Sequence, residues 1–373
     1  MKNRGFPGGI HGFFEKIPAS IHFLPDLIYK RGKVRYTKSI RDVVSGHHSR
    51  GISMKKRALT FLILLALALT ACAPVGNQPS GEDELTVVAT TYPVYLFVRA
   101  VTDGVEGIRV ERLNTGETSC LHDYTLSVND MKLLERADVI ALSGAGLEDF
   151  LEDALASSDA PVIDCSAGVE LLENLSHHHD EDDHDHDGHD HGHFDPHYWM
   201  DLRNGAKAVE TIAGALSELD PDHGEDYQGN LLDAVVLLEA WDSSLRDLMN
   251  GEMEIKIPGL ITFHDGFQYF CHAYGLPLLH SIEEEAGSEA SAHEIVEVTE
   301  LVRAHTIPVI FTEVSGSDAT AKAISRETGC AVARLSMVMD GPDGELSNYF
   351  DAMLNNMAAV INGFAGEQVV EIG

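Results

Sequence analysis

The chain has little positive charge. Its 373 residues include 26 lysines and arginines but 60 aspartates and glutamates, which gives a formal net charge of −34 at pH 7. Residues 1–71 hold 13 of the basic residues and only three of the acidic ones, so the remainder is more acidic still. A body this acidic repels phosphate backbones. It argues against nucleic acid as a partner and suits a surface protein that handles cations or is adapted to salt.

The chain also lacks an apolar run long enough to cross a membrane. The longest mainly apolar run, Ala58–Leu69, has 12 residues, whereas about 20 are needed to span a bilayer. It follows the basic residues 55–57 and leads into Leu-Thr-Ala-Cys at 69–72, which is the order of a bacterial export signal. Its ending resembles a lipobox, in which the cysteine is acylated. We therefore expect Cys72 to anchor the mature protein to a membrane.

These signals define the amino-terminal organisation. We predict that translation starts at Met54 and that residues 1–53 are a mis-assigned upstream extension; a genuine basic extension is the alternative. Residues 54–71 are then the lipoprotein signal peptide, and residues 72–84 form a short tether.

Cysteine is scarce, with five in the chain. If Cys72 is lipidated, Cys120, Cys165, Cys271 and Cys330 remain. An even number in an exported chain permits disulfides, but their pairing cannot be read from spacing. Cys120 lies close to a histidine and is a candidate metal ligand, which we disfavour because an exposed thiolate outside the cell oxidises.

The body of the chain alternates strand-like apolar runs with helical patterns. A mature length of about 300 residues suggests two domains. The predicted strands are Leu85–Thr90, Ile108–Leu113, Val139–Leu142 and Val162–Asp164 in the first half, and Leu260–Phe263, Leu276–His280, Val309–Thr312 and Ala331–Leu335 in the second. Such alternation predicts parallel sheets that are covered by helices on both faces.

A nearly continuous helical pattern connects the two halves, with a break at Pro221. The predicted fold class is therefore α/β: two similar lobes, each a mostly parallel sheet flanked by helices, joined by a long rigid linking helix. The amino-terminal lobe covers residues 85–200, the linking helices 201–255 and the carboxy-terminal lobe 256–373.

Eight of the 20 histidines lie in residues 177–193, interleaved with seven carboxylates. They are His177, His178, His179, His184, His186, His189, His191 and His193. The segment contains no apolar residue, so it cannot pack and is expected to be a solvated loop. Imidazole and carboxylate together suit zinc, copper and nickel ions, which makes the segment a predicted auxiliary metal-binding loop.

Three further histidines, His122, His197 and His264, follow predicted strands or the His-rich loop. Ligands of open α/β sheets bind beyond the carboxyl ends of the strands, so these side chains can converge on one metal ion between the lobes. Each has an acidic residue one or two positions away that can orient its imidazole. These acids are Asp123, Asp195 and Asp265.

In combination, these segments resemble the zinc- and manganese-type substrate-binding lipoproteins of ABC transporters. The likeness covers nearly all of residues 85–361 and depends on the order and spacing of the motifs. The motifs are His122-Asp123-Tyr124, Asp195-Pro196-His197 with Trp199, Phe263-His264-Asp265-Gly266-Phe267, Glu285-Ala286-Gly287-Ser288-Glu289, Phe311-Thr312-Glu313 and Glu327-Thr328-Gly329. A His-rich loop in this place is a feature of the zinc-type members. The resemblance implies a metal held by His122, His197 and His264, often with a carboxylate as fourth ligand.

The fourth ligand is where this sequence departs from the family pattern. Relatives commonly carry Leu-Asp near the end of the last predicted strand, whereas here Leu335 is followed by Ser336. We predict Asp340 or a water molecule as the fourth ligand; Glu313 is a third candidate, for which a structural role is favoured. Histidine at position 264 favours Zn²⁺ over Mn²⁺, since Mn²⁺ prefers more oxygen ligands.

The sequence thus predicts a binding protein without enzymatic activity. It would be lipid-anchored at the outer face of the cytoplasmic membrane, capture Zn²⁺ there and deliver it to a cognate ABC permease. Transport of manganese or iron by the same kind of protein, or a metal-dependent surface adhesin, are the alternatives. A zinc hydrolase is disfavoured because no His-Glu-x-x-His helix, paired general base or nucleophile motif accompanies the histidines.

Overall fold

The computed structural model describes residues 28–30, 33–36, 84–113, 121, 124–175, 193–251, 255–282 and 290–372. Several sequence predictions lie outside these residues: the signal peptide, nearly all of the tether, Cys72, Cys120, His122 and the loop histidines from His177 to His191. The chain divides into two compact units. One comprises Met1–Glu82 with Val370–Gly373, and the other comprises Asp83–Val369.

The strands, in chain order, are β1 (Ile28–Lys30), β2 (Lys33–Tyr36), β3 (Leu85–Ala89), β4 (Ile108–Arg112), β5 (Val139–Leu142), β6 (Val162–Asp164), β7 (Leu260–Thr262), β8 (Leu278–Ser281), β9 (Val309–Glu313), β10 (Ala331–Leu335) and β11 (Val370–Ile372). The α-helices are α1 (Tyr92–Val101), α2 (Val128–Glu135), α3 (Glu152–Ala156), α4 (Leu202–Leu219), α5 (Gly224–Met249), α6 (Gln268–Tyr274), α7 (Ala292–His305), α8 (Ala319–Thr328) and α9 (Ser347–Ala365).

The smaller unit contains a three-stranded sheet in the order β1-β2-β11. Strands β1 and β2 are antiparallel, and β11 is parallel to β2. This sheet was not predicted, because the sequence pattern of residues 1–53 shows no clear periodicity.

The larger unit is built on two four-stranded sheets, ordered β4-β3-β5-β6 and β10-β9-β7-β8. All strand pairs within both sheets are parallel. The central strands are mainly apolar, and β7 and β9 are buried along their length. This is the pattern of parallel strands covered on both faces, and it confirms the predicted fold of two similar α/β lobes.

The linking region consists of α4 and α5, which pack against each other along their length. A turn that begins at Pro221 separates them, and the Asp201 side chain caps the start of α4 by accepting from the Arg203 N–H. Helix α5 contacts α1 in the first lobe and α6 and α9 in the second. Helix α5 packs through the buried residues Leu238, Leu245 and Leu248, whereas Leu232 on the same helix is 68% exposed. No helix of the described residues is long and apolar enough to cross a membrane.

Hydrogen bonds join the two lobes directly. The Trp199 indole donates to the Met337 carbonyl over 2.9 Å, and the Tyr349 hydroxyl donates to the Trp199 carbonyl. The Tyr269 hydroxyl donates to the Asp195 carbonyl over 3.0 Å. These buried bonds hold the segment around residues 195–200 against the second lobe, which places His197 at the junction.

Candidate metal site

His197 is held in one orientation by Asp195. Both the backbone N–H and the ring Nδ1 of His197 lie 2.8 Å from Asp195 Oδ1, and both residues are buried. Donation from Nδ1–H to the carboxylate leaves Nε2 with its lone pair available for a metal ion, an arrangement common around metal-binding histidines. The predicted orienting role of Asp195 is therefore present in the structure.

His264 comes from the second lobe, directly after β7. Its Nδ1 lies 3.0 Å from the Gly266 N–H and 3.0 Å from Asp265 Oδ1. Burial lowers the pKa of His264, but the carboxylates of Glu313, Asp265 and Asp195 outweigh it and raise that pKa to about 9. The surroundings of this imidazole therefore favour positive charge.

The structure brings these two histidines together. Their ring centroids are 5.2 Å apart, and the ring planes are nearly perpendicular, at 87°. Gly266 makes this approach possible, because a Cβ there would lie 2.9 Å from His197 Cγ and 2.0 Å from Met337 Cε. Histidines from the two lobes thus meet where the sequence predicted a metal ion.

Glu313 is a third carboxylate beside this histidine pair, in addition to Asp195 and Asp265, and it lies near a ring Nε2 rather than a ring Nδ1. It ends β9, its side chain is 5% exposed, and its Oε1 lies 4.0 Å from His264 Nε2. Burial raises the pKa of Glu313, and the nearby His264 and His197 offset part of that rise. Sequence reasoning included Glu313 as a candidate but favoured a structural role, because no local pattern shows which way a residue at a strand end faces.

Asp340, the predicted fourth ligand, lies in a different environment. Its side chain is 62% exposed, and its Oδ1 is 3.5 Å from Arg112 Nη1. Arg112 also donates to the Gly341 carbonyl over 2.9 Å and lies 3.3 Å from Asp343. Its guanidinium stacks over the ring of Tyr92. Sequence reasoning did not identify Arg112 as a contact between the lobes.

The base of the His-rich loop is also described. Glu173 and Phe194 form an antiparallel bridge, and the Asn174 N–H donates to the His193 carbonyl over 3.1 Å. His193, the last of the loop histidines, is exposed and packs against the Phe194 ring. The loop therefore leaves and re-enters the lobe at adjacent points, directly before Asp195 and His197.

The described part of the chain also contains three cysteine thiols. Cys165, Cys271 and Cys330 are free, buried thiols, and burial raises the pKa of the Cys271 thiol to about 12. In the described part of the chain, no three His, Cys, Asp or Glu side chains stand at metal-holding spacing. The predicted set includes His122, which lies outside that part.

Comparison with known proteins identifies the family of the chain. The family model of the zinc-uptake complex component A, periplasmic, matches residues 87–363. The chain belongs to this family. The match covers both lobes and the linking helices, and the family is described as periplasmic, hence extracytoplasmic.

The names of the chain's relatives specify different metals. The zinc-binding lipoprotein AdcA of Streptococcus pneumoniae is 29% identical over 323 residues, which are 82% of this chain and 60% of AdcA. The chain thus spans three fifths of that relative's length. The manganese ABC transporter substrate-binding lipoprotein PsaA of Streptococcus mitis is 26% identical, over 84% of this chain and 100% of PsaA.

A solved structure shows the same fold. The laminin binding protein Lmb of Streptococcus agalactiae, described as bifunctional with adhesin and metal transporting activity, has a TM-score of 0.61 and 22% identity, covering 74% of this chain and 99% of Lmb. The family and these relatives are binding proteins of metal transport, which confirms the prediction that the chain is not an enzyme. A divalent metal is what the relatives' names share.

Proposed function

We propose that the protein captures Zn²⁺ between its lobes and delivers it to an ABC permease. The observation that carries the proposal is the close approach of His197 and His264, one from each lobe, with each Nδ1 near a carboxylate. His122, from the first lobe, is the proposed third ligand. The ion enters and leaves by modest movement of the lobes, so the cycle is binding and release without a chemical step.

Zinc is the proposed cargo because the donor set is rich in imidazole, which Zn²⁺ binds tightly in tetrahedral sites. Manganese is the second candidate. It is favoured by the carboxylate of Glu313 beside His264 and by the name of the relative PsaA. Competition between the two metals for the purified protein distinguishes these candidates.

The protein is proposed to work at the outer face of the cytoplasmic membrane, held by a lipid on Cys72. Support comes from the export signal with its Leu-Thr-Ala-Cys ending and from relatives that are named lipoproteins. An additional adhesin role is the remaining candidate, since the structurally similar Lmb is described as an adhesin that also transports metal.

The test is a metal titration of the full chain, purified without added metal, with a competing chelator. We expect tight Zn²⁺ binding by the parent. His197→Ala and His264→Ala should each lower its affinity by at least tenfold, because each removes one donor from a small set. His272→Ala is the matched control, since His272 is an exposed histidine on α6. If both site variants titrate like the parent, the proposed site is wrong.

A further inference from the structure

A buried carboxylate oxygen beside His264 accepts no hydrogen bond among the described residues. Glu313 Oε1 is shielded from solvent, and within the described residues it accepts no hydrogen bond. Burying a charged acceptor without a partner is unfavourable, so such groups in native proteins usually have a ligand, an ion or a catalytic role. The group that Oε1 faces is the imidazole of His264.

The distance between these two groups fits a shared metal ion. Glu313 Oε1 and His264 Nε2 are 4.0 Å apart, which is too far for a hydrogen bond. Zinc lies about 2.0–2.1 Å from a histidine nitrogen and about 2.0–2.2 Å from a carboxylate oxygen. One ion between the two atoms therefore reaches both, and a bent geometry at the ion needs the side chains to close by less than about 1 Å.

The sheet fixes both groups on neighbouring strands. Glu313 is the last residue of β9, and His264 follows β7, with which β9 pairs through Thr262 and Phe311. Since the strands are parallel, both residues lie at the same edge of the sheet. Burial on that edge limits the rotamers of Glu313, so its carboxylate is already directed at the site when the metal arrives.

Asp340 does not share these properties. Its exposed carboxylate forms an ion pair with Arg112, which in turn is held by the Gly341 carbonyl. To reach the histidines, Asp340 would have to leave a favourable partner, whereas Glu313 Oε1 accepts no hydrogen bond among the described residues and already faces His264.

We propose that Glu313 is the carboxylate ligand of the metal site and that it sets the preference among divalent ions. This inference depends on the proposed function, because it assigns a ligand to the same site. A carboxylate adds one hard, charged oxygen to the imidazole donors, and it contributes more to binding of Mn²⁺ than of Zn²⁺. Loss of that charge should weaken Mn²⁺ binding more than Zn²⁺ binding.

The test compares Glu313→Gln with Asp340→Asn in the full chain. Glutamine keeps the size of the side chain and removes the charge. We expect E313Q to lower the Zn²⁺ affinity at least tenfold and the Mn²⁺ affinity further, and to shift the visible absorption bands of the Co²⁺-loaded protein, which report the ligands directly. D340N should leave the Co²⁺ bands unchanged, because Asp340 is not a ligand in this proposal, and should lower the affinities by less than E313Q does, because Asp340 acts only through its pair with Arg112. Glu297→Gln, at an exposed position on α7, is the control that should leave both unchanged.

Each other outcome overturns the assignment. An E313Q protein with parental affinities and bands shows that Glu313 is not a ligand. A lowered affinity with unchanged Co²⁺ bands shows a residue that only positions His264. Should E313Q fail to fold, a crystal structure of the zinc-loaded parent decides, because the proposal requires Glu313 Oε1 within about 2.2 Å of the ion. If the parent itself binds no metal tightly, the proposed function is wrong as well. If the parent binds metal tightly and E313Q behaves like it, only the assignment of Glu313 is wrong.

Discussion

At the scale of single residues, Glu148 in the first lobe and Glu313 in the second are buried carboxylates with different roles. Glu148 stabilises the ends of β3 and β5: its Oε1 accepts from the Ser143 N–H and the Thr90 hydroxyl, both at 2.6 Å, and its Oε2 accepts from the Gly144 N–H at 2.9 Å. Every bond uses the carboxylate as an acceptor. Glu313, by contrast, has a buried oxygen with no hydrogen bond among the described residues, which is why we assign the first to stability and the second to the metal.

Glu148→Gln should therefore destabilise the protein. Whichever way the amide is turned, its NH₂ group faces at least one N–H donor and leaves it without an acceptor. We expect a loss of about 1–3 kcal/mol in the free energy of unfolding, measured by urea denaturation at pH 7. Glu152→Gln is the control, because Glu152 is exposed and a charge-to-amide change there should have little effect.

Comparison of the parent with E148Q also predicts how the free energy of unfolding depends on pH. Burial raises the pKa of Glu148 from 4.5 to about 7, although the hydrogen bonds from Thr90, Gly144 and Ser143 oppose the shift. Between these values the unfolded chain has lost the proton and the folded protein keeps it, so the free energy of unfolding falls as the pH rises. The parent should lose stability between pH 4.5 and 7 by a contribution that E148Q lacks. Equal slopes for the two proteins would contradict the assignment.

At the scale of elements, the base of the His-rich loop and the buried site are structurally separable. The bridge between Glu173 and Phe194 and the bond from the Asn174 N–H to the His193 carbonyl close the loop before Asp195. His197 is then oriented by Asp195, which follows this bridge in the chain. We therefore predict that the loop binds extra metal without supplying the donors of the buried site.

Deletion of residues 177–192 tests this separation, since it keeps His193 and the bridge. The number of zinc ions bound per chain should fall, while the tightest affinity stays within about threefold of the parent, an allowance well below the tenfold loss expected for a lost ligand. Metal content after dialysis and chelator competition measure both quantities. A matched variant that replaces the loop histidines with asparagine, at unchanged length, should behave the same. Loss of the tight site in both variants would show that the loop supplies its ligands.

At the scale of the whole molecule, the two lobes are held together by contacts outside the metal site. Arg112, at the end of β4, donates to the Gly341 carbonyl, pairs with Asp340 and Asp343, and covers the Tyr92 ring. It joins the strand that precedes the His122 segment to the segment that follows β10. In the proposed cycle of binding and release, this side chain therefore supplies part of the free energy that keeps the lobes closed.

Arg112→Ala should accelerate metal release. Loss of the charged hydrogen bond and the cation–π contact removes about 1–2 kcal/mol from the closed arrangement, which corresponds to a five- to thirtyfold faster release of Zn²⁺ to a chelator in stopped flow. Arg109→Ala is the control, since Arg109 lies on the same strand but, within the described residues, pairs with Glu84 and Glu111 of its own lobe and is 54% exposed. Release rates that do not distinguish the two variants would show that the Arg112 contacts do not hold the lobes closed.

Local sequence determined most of the secondary structure and the fold class. The predicted bounds of β10 match the structure residue for residue, and the predicted break at Pro221 separates α4 from α5, because apolar periodicity and turn residues act within one element or at its end. Alternation of such elements implies parallel sheets, so the two lobes followed from the same information. The choice of His197 and His264 as candidate ligands was also possible from local sequence, since each follows an ordered segment and has an acidic residue one or two positions away. In the structure these acids lie within 3.0 Å of the Nδ1 atoms.

Only the tertiary structure decided which carboxylate faces the histidines. Asp340 and Glu313 both follow or end a strand in the second lobe, and nothing in their local sequence distinguishes a side chain directed into the site from one directed at Arg112. Periodicity reports neighbours within an element, whereas the contact of Glu313 with His264 depends on the pairing of β9 with β7. The three-stranded sheet of β1, β2 and β11 has the same origin, because β11 pairs with β2 from the opposite end of the chain and no local pattern reports that pairing.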